Sequence, residues 1–194
     1  MVRSDAERVG FLRRAFRARQ VGDHAQHVAS PALVVSEAVV LVAAVVLRLA
    51  AEGRLSLDDP LERWLPGGLP YGDQVSLRQL LNHTGGVPHH TATLEQALYA
   101  SRPGRLRAWT PQALVAMVAD QPPAFPAGTA WSYSNTGYIL LGLVVEAASQ
   151  RTLGQELDRS ILGPLGLRDT LLPDTTAGAC GVRGGCSLVS AAMA

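Results

Sequence analysis

A chain of 194 residues, 47% hydrophobic and 17% charged, is long enough for one domain with a real core and too apolar for a disordered polymer. Its formal net charge of +1 gives no sign of the concentrated basic surface of a typical nucleic-acid protein. All 17 basic residues are arginine, which keeps its proton at ordinary pH, so any mechanism that uses a neutral lysine amine as base is excluded.

The first thirty residues are polar and arginine-rich and carry no clear period, as either a helix or a loose tail. "RRAFRAR", residues 13–19, can face an anionic surface or simply be solvated. Charge throughout this stretch, with no apolar centre, gives no secretory signal and makes a cytoplasmic location the default expectation. From Ser36 to Ala51 the spacing predicts a helix that is apolar nearly all round, hence surrounded by protein, and stopped by Gly53. Its apolar run, "AVVLVAAVVL" from Ala38 to Leu47, is too short to cross a bilayer.

"SLDDPLERWLP" predicts a short helix with Asp59 as N-cap and Pro60 in the first helical position. "SLRQLLNHTGG" predicts another, opened by a Ser76/Gln79 capping box and ended by Gly85 and Gly86. From His89 to Trp109 the chain reads as irregular, with one short helix in "TLEQALYA". "TPQALVAMVAD" opens on Thr110-Pro111 as an amphipathic helix and is ended by Pro122 and Pro123. Asn135 is placed to cap the following helix, where Tyr138, Leu141, Val145 and Ala148 fall at helical spacing. Thr152 and Gln155 make a second capping box for "TLGQELDRSIL". After Pro164 the chain is turn-rich, and Cys180 and Cys186, which can pair, lie in a Gly-rich stretch. No alternating strand pattern extends beyond a few residues, so periodicity alone gives a mainly α chain. The five histidines, His24, His27, His83, His89 and His90, make no recognisable ligand set, so no metal or other cofactor is expected.

"AAEGRLSLDDPLERWLP", "LRQLLNHTGG" and "FPAGTAWSYSNTGYILLGLVVEAAS…ILGPLGLRDT", in that order, resemble the serine β-lactamase-related family. That family includes D-alanyl-D-alanine carboxypeptidases, penicillin-binding esterases and β-lactamases, and the resemblance covers Ser36 to Pro173. It implies the helical portion of an α/β β-lactamase/transpeptidase-like fold, with much of the antiparallel sheet missing. It also implies acyl transfer, in which a serine attacks a carbonyl and a lysine one helical turn later shares its proton. A tyrosine and an asparagine in a Y-x-N element relay the proton and hold the substrate, and a K-T-G or H-x-G triplet binds the substrate carboxylate.

Carried onto this chain, Y-x-N falls on Tyr133 and Asn135, and the nucleophile falls on Ser36 in "SEAV". Val39 then occupies the lysine position, and neither K-T-G nor H-x-G follows "WSYSN", because all five histidines precede it. A serine without a partner base stays protonated, and a helix dipole contributes only about 1 kcal/mol or less. Ser36 therefore reads either as an impaired nucleophile or as a plain helix cap. The expected organisation is an arginine-rich segment over residues 1–30, an incomplete β-lactamase-related domain over 31–176 and a tail over 177–194. The expected function is an impaired or truncated serine hydrolase, with a small peptide or β-lactam-like ligand, no nucleic acid and no membrane span. A helical portion parted from its sheet exposes apolar surface, which implies self-association. The alternatives are a non-catalytic binding module or remnant, and a membrane-associated helical protein.

Overall fold

The computed structural model describes residues 31–90 and 110–167, with side chains from Val39 onward. The arginine-rich segment, the "TLEQALYA" helix and both cysteines lie outside the described residues, as does the expected boundary at 176. Within them the chain forms α1 (Pro31–Ala51), α2 (Leu61–Trp64), α3 (Leu77–Leu81), α4 (Pro111–Ala116), α5 (Asn135–Ser149) and α6 (Leu153–Leu157). A π-helical turn, Asp158–Leu162, and a last short helix, α7 (Gly163–Leu165), follow. Strand pairing among the described residues is limited to one antiparallel bridge between Pro60 and Ser76.

Helix α5 is the hub, packing against α1, α2, α3, α4 and α6. Its residues Tyr138 to Leu141, Val144 and Val145 are all buried, which is why no polar stripe interrupts its apolar pattern. Helix α1 brings Val42, Val45, Val46 and Leu49 against it, each 1% exposed or less. The opposite face of α1 is uncovered: Val40 is 59% exposed and Leu47 52%. Leu61, Leu77, Leu80 and Leu114 complete the core from the short helices.

Several predicted ends hold. Both capping boxes form, with Ser76 Oγ accepting from the Gln79 amide and Thr152 Oγ1 from that of Gln155. Thr110 caps α4 with Pro111 just inside, although the α-helix stops at Ala116, well before the prolines. The segment after Thr152 begins as α-helix and passes into the π-turn at Asp158.

Four expectations need correction. Helix α1 begins at Pro31, so Ser36 sits in its second turn and cannot be its N-cap. Pro60, not Asp59, occupies the N-cap position of α2, and it offers no side-chain acceptor. The buried Asp59 carboxylate instead accepts from the Ser56 amide at 2.9 Å, the Arg63 guanidinium at 2.8 Å and Trp64 Nε1 at 3.1 Å. It ties three groups of one loop together, more than a helix cap asks of it. Helix α3 ends at Leu81 rather than at the glycine pair, because His83 has already turned to a φ of 62°. Finally, Ser134 caps α5: its hydroxyl accepts from the Gly137 amide, and Asn135 is the first helical residue.

Candidate active site

The site is built where the "NHTGGVPHH" loop leaving α3 meets the "WSYSN" segment entering α5. Helix α3 closes with a paired C-terminal motif, in which the Thr84 amide donates to the Gln79 carbonyl at 2.9 Å and the His83 amide to that of Leu80 at 3.3 Å. The Tyr138 hydroxyl donates to the Leu81 carbonyl at 2.9 Å, satisfying an acceptor that the helix end would otherwise leave open. Beyond His83 the loop is stitched to the Pro122–Gly128 turn, with Ala124 donating to Gly86 and Gly128 to Thr84, both at 2.8 Å. Gly86 has a φ of 68° and faces the Phe125 carbonyl so closely that no side chain fits there.

On this frame "WSYSN" lies extended along His83. The Ser132 amide donates to the His83 carbonyl at 3.1 Å, and the Ser134 amide to His83 Nδ1 at 3.3 Å. Tyr133, between them and half-buried, places its ring centroid 4.5 Å from that of His83 and 6.2 Å from that of His89. The His83 ring also packs on Tyr138 at 5.2 Å and on the exposed Trp131 at 6.0 Å. Gln79, His83, Gly85, Gly86, Ser132, Ser134 and Gly137 are among the residues lining the cleft beneath this seam.

A second seam lies deeper. The His90 amide donates to Thr136 Oγ1 at 3.1 Å, and His90 Nδ1 lies 3.0 Å from the same oxygen. With one lone pair taken by the amide, the threonine hydroxyl is free to direct its proton at Nδ1, which suits a neutral imidazole. Although a hydroxyl beside a histidine nitrogen has the form of a nucleophile and its base, both residues are buried. They join the loop to α5 and present nothing to a substrate.

Electrostatics follow burial. Desolvation lowers the His83 pKa below the ordinary histidine value. The same cause, reinforced by neighbouring His89, brings His90 down to about 4. The Tyr133 phenol is raised by burial, and so is Tyr138, by burial and then by Tyr133. At neutral pH, therefore, Tyr133 is a phenol and not a phenolate. Among the described residues no group of three or more His, Cys, Asp or Glu is placed to hold a metal ion.

Of the residues singled out from sequence, Tyr133 and Asn135 fall on the segment that enters α5, Asn135 as the first residue of the helix that Ser134 caps. Ser36 is placed only as a backbone position in α1. One turn further, Val39 is partly buried against the core. The histidines are what sequence reasoning passed over. Sought as metal ligands they are unconvincing, yet His83, His89 and His90 all fall within "NHTGGVPHH", beside a motif already singled out.

The sequence matches the Beta-lactamase family model over residues 36–185. The chain belongs to the beta-lactamase family. It is 35% identical over 124 residues to penicillin-binding protein 4* of Bacillus subtilis, covering 63% of this chain and 26% of that protein. It is also 35% identical over 132 residues to esterase EstB of Burkholderia gladioli, covering 63% of this chain and 33% of the esterase. The fold is similar to a crystallised D-stereospecific amidohydrolase from Streptomyces, with a TM-score of 0.66 and 39% identity over 70% of this chain and 42% of the other. The D-amino acid amidase of Ochrobactrum anthropi, solved with L-phenylalanine, gives a TM-score of 0.61 at 29% identity, covering 70% of this chain and 37% of the amidase. The chain thus spans between a quarter and a third of the curated relatives' length, and its mostly helical described part matches the corresponding portion of this fold.

Proposed function

We propose that this chain is a β-lactamase-related serine hydrolase whose acyl transfer is impaired at the base. Its substrates are D-alanyl-D-alanine-type peptides, β-lactams or small esters. Ser36 is the nucleophile position, Tyr133 the proton-relay phenol and Asn135 the carboxamide that holds the substrate. Support for the substrate class comes from relatives named as a penicillin-binding protein, an esterase and D-amino acid amidohydrolases.

One observation carries the impairment: the position one turn after Ser36 holds Val39, packed against the core, in a chain that contains no lysine. A hydroxyl near pH 7 needs a partner to take its proton, and valine has no group that can. Tyr133 does not replace it, because burial raises its pKa and makes the phenolate harder to form. Loss of one member of such a catalytic unit removes about 10⁴-fold or more in rate.

The test is incubation with a fluorescent penicillin, followed by intact-mass measurement and a chromogenic cephalosporin assay. Slow or absent acylation without turnover is expected, and Val39→Lys is expected to raise acylation by at least about 10²-fold. Multiple turnovers by the unaltered chain, abolished by Ser36→Gly, would refute the impairment. No helix among the described residues is long and apolar enough to cross a membrane.

A further inference from the structure

We propose that His83 is the positioning residue for the Tyr133 phenol, holding the amides on either side of Tyr133 and packing its ring on the phenol between them. The inference rests on the assignment of Tyr133 to the acyl-transfer site, and it names the group that aims that side chain.

The first argument is the cost of placing a histidine here. Position 83 follows the end of α3 with a left-handed φ of 62°. The same paired motif closes α1, where the Arg54 amide donates to Leu49 and the Gly53 amide to Ala50, both at 3.0 Å. There the left-handed residue is Gly53, with a φ of 71° and open space around it. Glycine adopts this conformation freely, and a residue with a Cβ does not. Gln150, the other left-handed non-glycine among the described residues, uses its side chain locally, donating to the Ala147 carbonyl at 2.8 Å. His83 instead uses its side chain on a distant segment: Ser134, which it holds, lies on the far side of the Pro122–Gly128 turn.

The second argument is geometric. The Ser132 and Ser134 amides both point at His83, one at its carbonyl and one at Nδ1. Residues two apart on an extended segment are thereby fixed to a single residue, and the orientation of Tyr133 between them is fixed with them. The ring contact at 4.5 Å then limits where the phenol can swing. A helix cap requires none of these three contacts.

The clamp also has a required protonation state. Nδ1 accepts a hydrogen bond, so the ring is neutral with its proton on Nε2. A second proton would land on Nδ1 and face the Ser134 N–H, donor against donor. Among the described residues the titratable groups facing the ring are the phenols of Tyr133 and Tyr138, both uncharged at and below neutral pH, with His89 across Tyr133. Acidification therefore opens the clamp and releases Tyr133.

The experiment uses the full chain labelled with ¹³Cζ-tyrosine and ¹⁵N, with the Tyr133 signal assigned by its loss in Tyr133→Phe. His83→Gly keeps the backbone turn at no conformational cost and removes the ring. His83→Asn keeps an acceptor, Oδ1, at the position of Nδ1, tolerates the left-handed region and does not titrate. In His83→Gly the Tyr133 phenol should titrate at lower pH than in the parent chain, and the Ser134 amide should exchange at least tenfold faster. His83→Asn should restore both. Between pH 8 and 5 the parent chain should show the Tyr133 signal shifting together with protonation of His83, and His83→Asn should show no such shift. An unchanged Tyr133 titration and Ser134 exchange in His83→Gly would overturn the proposal, as would the same acid shift persisting in His83→Asn. None of these readings needs turnover. A Val39→Lys chain that still never acylates would therefore sink the hydrolase assignment and leave the clamp standing, whereas loss of the clamp signature would do the reverse.

Discussion

Gly86 and Gly53 allow a controlled measurement of how tightly the site loop is pinned. Their φ angles are nearly the same, 68° and 71°, so alanine meets the same left-handed penalty at both, about 1–2 kcal/mol. Their surroundings differ. Nothing lies within 4 Å of a Cβ built at Gly53, whereas one at Gly86 overlaps the Phe125 carbonyl oxygen. That oxygen belongs to backbone, so relief requires the Pro122–Gly128 turn to move, and the 2.8 Å bonds from Ala124 to Gly86 and from Gly128 to Thr84 hold it in place. Overpacking of this kind costs about 1–3 kcal/mol, and a strained or broken turn bond adds about 1 kcal/mol. Gly53→Ala should therefore destabilise by about 1–2 kcal/mol and Gly86→Ala by about 3–6 kcal/mol. Urea unfolding followed by circular dichroism at 222 nm measures both. Equal losses for the two variants would refute the reasoning, because they would show that the turn yields to the new methyl at no cost.

Two buried phenols should respond oppositely to loss of their hydroxyl. Tyr71 Oη is buried without a partner among the described residues, so Tyr71→Phe should be neutral or stabilising by up to about 1 kcal/mol. Tyr138→Phe strips the Leu81 carbonyl of its donor and should cost about 1–2 kcal/mol in the same unfolding assay. The fully buried Glu156 accepts from Arg159 at 2.7 Å and from Ser160 Oγ at 2.6 Å. The Arg159 hydrogen bond leads in lowering its pKa, against desolvation that raises it, with Ser160 and the charge of Arg151 also lowering it. Its stabilisation is thus present above the ordinary carboxylate range and lost as pH falls through the lower folded value. Glu156→Gln should cost about 2–3 kcal/mol at pH 7, below the full buried-pair penalty because Arg159 is 40% exposed, and the difference should shrink below pH 4. A loss that does not change with pH would contradict the ion-pair account. His90 shifts stability in the same direction by the opposite route, through a neutral form and not a charged one. A neutral imidazole with a folded pKa of about 4 stabilises fully above the ordinary histidine value and progressively less as pH falls towards 4. Thr136→Val should reduce that dependence and cost about 1–3 kcal/mol, read from unfolding midpoints between pH 4 and 7.

What the sequence determined by itself was local or ancestral. Ser76/Gln79 and Thr152/Gln155 are capping boxes because each pair satisfies its own neighbouring amides, a requirement met within four residues. The helical spacing of Tyr138, Leu141 and Val145 announced α5 in the same local way, and all three are buried in it. The ordered motifs from Ser36 onward announced the family, and the absence of lysine set the chemical question. What tertiary structure decided were choices between equivalent candidates. Ser134 and Asn135 are both good caps, and the choice fell to Ser134, which is drawn towards the loop from α3 by its amide bond to His83. Asp59 looked like a cap but found stronger partners in Arg63 and Trp64. His83 looked like an interior residue of a motif that ends in glycine, and became the turn itself. Its partners, Ser132 and Ser134, lie about fifty residues away in sequence, and pairings at that distance are set by packing that no local pattern records.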